Sequence, residues 1–143
     1  MASDLKVKIR DLISPGIDKR IREQKNLSPV FKKIGRFEMR QTRRRIRITK
    51  ESPDGNAWSK WKPSTVKHRI KKGNASQGLL YDTKEMHDFF LLSHSNTEMR
   101  LKAGTDYAKF LQFGTTKMVA RPFMGWSDAS IEFIKRSFKR HFK

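Results

Sequence analysis

Residues 28–49 have the sequence SPVFKKIGRFEMRQTRRRIRIT, and the periodicity of this run organises the elements around it. Apolar side chains recur there at spacings of four and three residues, which place them on one helix face: Val30, Ile34 and Phe37. Ser28-Pro29 is typical of a helix start, with the serine as N-cap and the proline in the first helical position. We therefore predict a helix that continues through Arg47 and ends before Pro53, because the residue that precedes a proline avoids helical angles.

The C-terminal segment predicts a second amphipathic helix with a clear start. Ser127 is a good N-cap, and apolar residues follow at spacings of three and four: Ile131, Ile134, Phe138 and Phe142. Apolar or alternating runs at residues 89–92 and 99–103, separated by a polar stretch, predict an antiparallel hairpin. Shorter helices are expected at residues 65–72 and 107–113. The predicted fold is α+β, a small single domain with an antiparallel sheet, a long basic N-terminal helix and a C-terminal helix.

Residues 1–27 carry weaker signals. Three apolar residues alternate there with polar ones and favour a short strand: Leu5, Val7 and Ile9. Leu5, Ile9 and Leu12 would also fit one face of a helix. Ser14-Pro15 predicts the start of a short helix. We predict one domain over residues 1–143, in which residues 1–27 form an extended arm.

The composition indicates an acidic partner. The 143 residues contain 33 Lys and Arg against 14 Asp and Glu, a formal charge of +19, and such a field attracts polyanions. Residues 1–50 alone carry 16 basic and 5 acidic side chains. The absence of cysteine excludes a disulfide framework and a thiolate nucleophile. No window of the sequence approaches the length of a membrane-spanning helix, and we expect no membrane partner.

The densest cationic cluster lies near the end of the first predicted helix and comprises Arg40, Arg43, Arg44, Arg45 and Arg47. These side chains are candidates for contact with nucleic acid or another acidic partner, because arginines neutralise phosphates without regard to sequence. A solvated helix face explains them equally well. Trp58 and Trp61 could stack on bases beside Lys60 and Lys62, but tryptophans in such a loop more often fasten it to the core.

No residue pattern predicts catalysis. His87-Asp88 is a bare dipeptide that could bind a metal only with a third ligand such as Asp54 or Glu85, and solvated polar residues are the better interpretation. Ser127 lacks the second glycine of a nucleophile elbow, so we interpret it as a helix cap. Glycine-rich phosphate loops are missing from the sequence. We predict no catalytic residue, no cofactor and no metal; a nuclease that uses His87 and Asp88 is a minor alternative.

From residue 52 onward, six short motifs follow one another: SPDGNAW at 52–58, WKPST at 61–65, LLYDT at 79–83, GTDYA at 104–108, QFG at 112–114 and ARPFMGWS at 120–127. Their order resembles that of the virion morphogenesis family of tailed phages. The resemblance covers about 75 residues. The motif residues to which we assign structural roles are Pro53, Asp54, Gly55, Trp58, Trp61, Gly104, Tyr107, Gly114, Arg121, Pro122 and Phe123.

The physical roles expected for these residues concern shape. Residues 53–55 would turn the chain so that Trp58 folds back on the core. Gly104 and Gly114 would relieve backbone constraint beside the Tyr107 segment. Pro122 would hold an extended approach to the last helix, with Phe123 as an apolar anchor. Residues of this kind build a shape rather than a reaction.

The resemblance implies a non-enzymatic tail completion protein, a structural component of the neck at the head–tail junction. It implies a ring, expected to contain six copies, that caps the tail and allows the head to dock. The implied partners are the tail tube or tail terminator proteins, the head-completion or connector proteins, and the DNA in the lumen. The protein would then lie in the virion, and in the host cytoplasm during assembly. A stand-alone, sequence-independent nucleic-acid-binding protein is the alternative.

Overall fold

The computed structural model describes residues 26–76, 78–80 and 85–143. The predicted strand and short helix of the N-terminal arm lie outside the described residues, as does the end of the LLYDT motif. That residues 1–143 form a single domain therefore stays a prediction.

The first helix, α1, spans Ser28–Arg44 and passes directly into a π-helical turn at Arg45–Thr49. This confirms the predicted location and the end before Pro53. The predicted cap is wrong: Leu27 occupies the N-cap position, and no side chain caps the helix. The Ser28 hydroxyl instead forms a 2.6 Å hydrogen bond with Nδ1 of His94, so it ties the start of α1 to the tip of the hairpin.

The remaining elements complete a small α+β fold, as predicted. In chain order they are α2 at Pro63–Lys71, α3 at Glu85–Asp88, β1 at Phe90–His94, β2 at Met99–Ala103, α4 at Ala108–Phe113 and α5 at Asp128–His141. The short helix α3, for which the sequence analysis made no prediction, precedes the hairpin. The Ser127 cap is confirmed, because its hydroxyl oxygen accepts a 3.2 Å hydrogen bond from the Ser130 N–H.

The hairpin is antiparallel, with Phe90 opposite Ala103 and His94 opposite Met99. In β2 the alternate residues Met99, Leu101 and Ala103 are buried, so one face of the hairpin covers the core. Gly35 of α1 lies so close to the Leu92 side chain that any added Cβ would collide with it. This close approach is the reason for a glycine in the middle of an otherwise regular helix.

In the described residues the core consists of two clusters of buried side chains. Aromatic pairs join α1 to α5: the rings of Phe31 and Phe138 meet edge to face at 5.9 Å, and those of Phe37 and Phe133 stack at 4.0 Å. The second cluster gathers the π-helical turn, the loop at Trp58, the hairpin and the residues around Phe123. The helix α1 is therefore the element against which α5 and both strands of the hairpin pack.

Candidate functional site

The predicted arginine cluster divides into an exposed and an internal part. Arg40, Arg44 and Arg47 are exposed, and we call these three residues the basic face. Arg43 is half-buried and donates hydrogen bonds to the carbonyl oxygens of His87 at 3.0 Å and Asp88 at 3.2 Å, so it fastens α1 to α3.

Arg45 does not belong to this surface; it lies in the interior beside Glu38. The residue is only 5% exposed. Its Nη1 lies 3.1 Å from Oε1 of the buried Glu38 and also donates to the carbonyl oxygens of Phe123 at 3.2 Å and Gly125 at 3.3 Å. Arg45 is thus the internal cation of the fold, and it joins α1 to the segment that leads into α5.

Glu38 is the acidic half of this pair. Its Oε2 accepts a 2.5 Å hydrogen bond from the Ser130 hydroxyl of α5. Burial raises the pKa of the Glu38 carboxyl, while the hydrogen bond from Ser130 and the charge of Arg45 lower it; burial is the strongest of these effects. The carboxyl group therefore connects α1, the π-helical turn and α5 through polar contacts in the interior.

A sequence signal for this pair exists, although sequence reasoning missed it. Glu38 is the only acidic residue in α1, and it lies four residues after Ile34 on the apolar stripe. A buried carboxylate needs a cationic partner. That partner is Arg45, the first residue of the π-helical turn. The turn is defined by the 2.9 Å hydrogen bond from the Lys50 N–H to the Arg45 carbonyl oxygen, which spans five residues. In this turn Arg45 and Ile46 are both buried, whereas Ile48 is 68% exposed.

The first seven residues of the last motif, 120–126, lead into α5, and we call this segment the connector; it is distinct from the connector proteins of the phage head. Side chains from distant parts of the chain hold it in place. The Trp58 indole N–H donates a 2.8 Å hydrogen bond to the carbonyl oxygen of Pro122, and the ring is buried. This confirms the prediction that Trp58 fastens its loop to the core. Arg121 reaches back to the same loop, with Nε 2.9 Å from the Ser59 carbonyl oxygen and Nη2 3.2 Å from that of Lys60. Burial lowers the pKa of Arg121, and the nearby charge of Arg69 adds to the effect.

Gln112 of α4 holds the next part of the connector, a role that sequence reasoning did not assign to it. Its Oε1 accepts hydrogen bonds from the N–H groups of Phe123 and Met124, both at 3.1 Å. Its Nε2 donates to the Met124 carbonyl oxygen at 2.9 Å. Phe123 itself is buried, as expected of an apolar anchor. One amide side chain therefore satisfies three backbone groups where the chain has no regular partner.

The other motif residues have local structural roles. Residues 52–56 form the predicted turn, with Gly55 at φ 88° and its N–H bonded to the Ser52 carbonyl oxygen at 2.9 Å. Asp54 accepts hydrogen bonds from the Asn56 backbone and side chain. The Trp61 ring lies under the guanidinium of Arg69 at 4.0 Å, and its N–H donates to the Leu79 carbonyl oxygen.

The two glycines beside α4 differ from each other. Gly114 ends α4 at φ 73°, as its predicted role requires, and an added Cβ would lie 2.8 Å from Ala120 N. Gly104 does not adopt a positive φ. It is needed because its backbone passes close to Phe89, whose carbonyl oxygen accepts the Gly104 N–H at 2.7 Å. Tyr107 is the N-cap residue of α4, and its hydroxyl contacts Oε2 of Glu85 at 3.3 Å.

Several large apolar side chains within residues 89–113 are exposed. Phe110 and Phe113 project from α4, and Phe113 is 70% exposed. Phe89 and Leu91 are exposed next to the buried Phe90, on the outer side of the hairpin. We call these four residues the exposed apolar set. Exposed aromatic residues of this size are typical of surfaces that bind other proteins.

His87 and Asp88 form a local pair, with Nδ1 and Oδ1 2.6 Å apart. Within residues 26–76, 78–80 and 85–143, no group of three or more histidine or acidic side chains is arranged to bind a metal ion. In the same ranges, no helix has the length and apolar character needed to cross a bilayer.

The comparison with known families gives a match over nearly the whole chain. The profile of the phage virion morphogenesis family matches residues 11–143, which include all six motifs. The chain belongs to the phage virion morphogenesis family. Searches of the curated proteins and of the solved structures returned no match. This member of the virion morphogenesis family therefore has a role in the assembly of phage particles. Among its six motifs, the connector is held by the largest set of side-chain hydrogen bonds described above.

Proposed function

We propose that this protein is a tail completion protein that forms a ring at the head–tail junction, caps the assembled tail and allows the DNA-filled head to dock. The observation that carries the proposal is the family match over residues 11–143. In this role the protein makes and breaks no covalent bond. Its partners are further copies of itself, tail tube or tail terminator proteins, and head-completion or connector proteins.

The described surface supports this proposal. A closed ring needs two different complementary faces on each subunit. The exposed apolar set and the basic face differ in chemistry, and they belong to different elements: the first to the hairpin and α4, the second to α1 and its π-helical turn. One hydrophobic cluster joins the elements that carry the two surfaces, because it contains Ile46 of the π-helical turn, Phe90 of the hairpin and Ala108 of α4. Six copies are proposed from the family resemblance.

A phage that encodes the protein allows a direct test. A stop codon early in the gene should produce filled heads and complete-length tails that do not join, and wild-type protein supplied from a plasmid should restore infectious particles. An extract that supplies purified protein to such heads and tails should restore joining in vitro. If heads and tails join normally without the protein, the proposal is wrong.

Binding to nucleic acid is a second candidate function, which the exposure of Arg40, Arg44 and Arg47 favours. It predicts affinity for duplex DNA that falls steeply with salt, since each neutralised phosphate releases counterions. Replacing the three arginines by glutamine should reduce the slope of log K against log salt by about 3. Arg45 is left intact because its replacement would disturb the core. The absence of binding at low salt would eliminate this candidate.

A further inference from the structure

The outward side of α1 carries only positive charge. Between residues 30 and 47, every exposed side chain is a lysine or an arginine. Five of them lie on α1, and we call them the cationic ridge: Lys32, Lys33, Arg36, Arg40 and Arg44. The ridge shares two arginines with the basic face and extends it over the N-terminal half of the helix. The one acidic residue of α1, Glu38, is buried on the opposite side and takes no charge away from the ridge.

The cations of the ridge are evenly spaced on a firmly held helix. Four of them recur at every fourth residue, at positions 32, 36, 40 and 44, so each lies about 6 Å further along the helix axis than the one before. From first to last they span about 18 Å of the axis and about a third of its circumference. The helix packs against α5 and both strands of the hairpin. The ridge is therefore a row of cations on a rigid support.

Little of this charge is neutralised within the part of the chain that the structure describes. The ion pairs of exposed residues there join Arg100 to Glu98 and Lys135 to Glu132, and none of them includes a member of the ridge. Glu51 lies in one cavity wall with Arg44 and lowers the positive charge at the C-terminal end of the ridge. The N-terminal four cations of the ridge remain open to an anion from solution.

The ridge differs from a surface that binds protein or lipid. The centre of a protein–protein interface is apolar and poor in charge, whereas no apolar side chain is exposed between residues 30 and 47. A helix that lies on a membrane turns an apolar face to the lipid, and the apolar face of α1 is buried in the core. Nucleic-acid interfaces are strongly positive and polar, because lysines and arginines neutralise phosphates. The chemistry of the ridge therefore fits a phosphate backbone.

The aromatic residues of α1 distinguish a duplex from a single strand. Proteins that bind single strands combine cations with aromatic side chains on which the bases stack. Phe31 and Phe37 of α1 instead pack on Phe138 and Phe133 of α5, at 5.9 Å and 4.0 Å between ring centroids. The ridge thus offers cations without a stacking platform. A duplex, whose bases are already stacked, needs only the cations.

We propose that the cationic ridge lies along the phosphate backbone of duplex DNA and does not read the base sequence. The inference rests on the second candidate function, to which it gives a site that includes residues outside the basic face. It is independent of the neck role.

Binding of the full chain to a fluorescently labelled DNA duplex, measured by anisotropy over a range of salt concentrations, tests the proposal. The triple variant K32Q/K33Q/R36Q changes only the part of the ridge that lies outside the basic face. It should lower the slope of log K against log salt by about 3, since each lost phosphate contact lowers it by about 1. At about 0.1 M salt it should weaken binding at least tenfold.

The helix α2 provides a control with the same change in charge. K67Q/K71Q/K72Q removes three exposed lysines from α2. It should lower the slope by less than about 1 and weaken binding by less than about threefold, because charges away from the contact are screened. Far-UV circular dichroism of both triple variants should match that of the wild type, since all six side chains are exposed.

Several results would overturn the proposal. Equal losses for the two triple variants would mean that net charge alone attracts DNA, and a loss confined to the α2 variant would place the contact on α2. Tighter binding to a single strand of the same length would contradict a duplex site. In each of these cases the protein still binds nucleic acid, so the second candidate function survives. If the wild type binds no DNA at low salt, both fail, while the joining of heads and tails remains a separate test of the neck role.

Discussion

At the scale of single residues, the pair formed by Glu38 and Arg45 is the most consequential feature of the interior. Glu38 lies on the apolar stripe of α1, and Arg45 joins it to the backbone of the connector. Removing one member of a buried ion pair leaves an uncompensated charge in a poorly solvated place. The pair therefore sets a strict requirement at two positions that look unremarkable in the sequence.

Arg45→Met should destabilise the protein by about 3 kcal/mol, because the Glu38 carboxylate loses its cation. The free energy of unfolding in urea measures this change. Arg44→Gln, at the exposed neighbouring position, should change it by no more than about 0.5 kcal/mol. Equal effects of the two substitutions would show that Arg45 has no special place in the core.

The raised pKa of Glu38 gives the stability a pH dependence. The folded state favours the protonated carboxyl, so the contribution of Glu38 to the free energy of unfolding is largest below the ordinary pKa of 4.5 and falls as the pH rises through the raised value. Glu38→Gln lacks this titration. The stability of the wild type relative to E38Q, measured by urea unfolding, should therefore decrease as the pH rises above about 4.5. A difference that stays constant or grows with pH would contradict the raised pKa.

Sequence reasoning at this scale succeeded where a residue has one dominant tendency. Trp58 is buried and hydrogen-bonded as predicted, and Ser127 caps α5. It did not separate the buried Arg45 from the exposed arginines, because a run of arginines is normally interpreted as one solvated or ligand-binding face. Gln112 was missed for a related reason, since an amide that satisfies three backbone groups shows nothing in the sequence that separates it from a surface glutamine.

At the scale of the elements, the periodic segments were predictable and the irregular ones were not. The helix α1, the hairpin and α5 follow from apolar spacing, because each buries one face against the same core. The π-helical turn at Arg45–Thr49 is a local insertion that depends on the interior partners of Arg45. The cap at Ser28 failed because His94 takes the hydroxyl, a contact between residues 66 positions apart.

The end of α4 gives a prediction with a matched control. Gly114 and Gly73 have almost the same backbone angle, φ 73° and φ 72°, but only Gly114 has backbone atoms where a Cβ would lie. Gly73→Ala should cost about 1 kcal/mol of stability, the penalty of a left-handed alanine. Gly114→Ala should cost about 3 kcal/mol, because the ψ of −179° at Gly114 lies outside the left-handed helical region and a steric clash is added. Similar losses in urea unfolding would mean that the close approach to Ala120 carries no weight.

At the scale of the whole molecule, a small core supports a surface of high positive charge. The fold class and the family followed from the sequence, since the motif residues are those that shape turns and fasten the connector. The proposed contacts with other subunits and with tail or head proteins could not be derived in the same way. They depend on surfaces, such as the exposed apolar set, that no partner covers in the isolated chain.

The exposed apolar set yields a prediction about assembly. Phe110→Ser together with Phe113→Ser should leave the free energy of unfolding within about 1 kcal/mol of wild type, since exposed side chains contribute little to the core. The same variant should fail to restore infectious particles to a phage that lacks the gene. Ile70→Ser, at an exposed apolar residue of α2, is the control and should restore them. If the double variant restores infectious particles as well as the wild type does, α4 takes no part in the proposed contacts.

The location of the protein in the finished particle is the most direct test of a structural role in the neck. Cryo-electron microscopy of purified virions should show density for this fold as a closed ring between the head connector and the end of the tail tube. The same ring should cap tails isolated from cells that make no heads. Virions that lack the protein, or that carry it at another place in the tail, would contradict the proposed role.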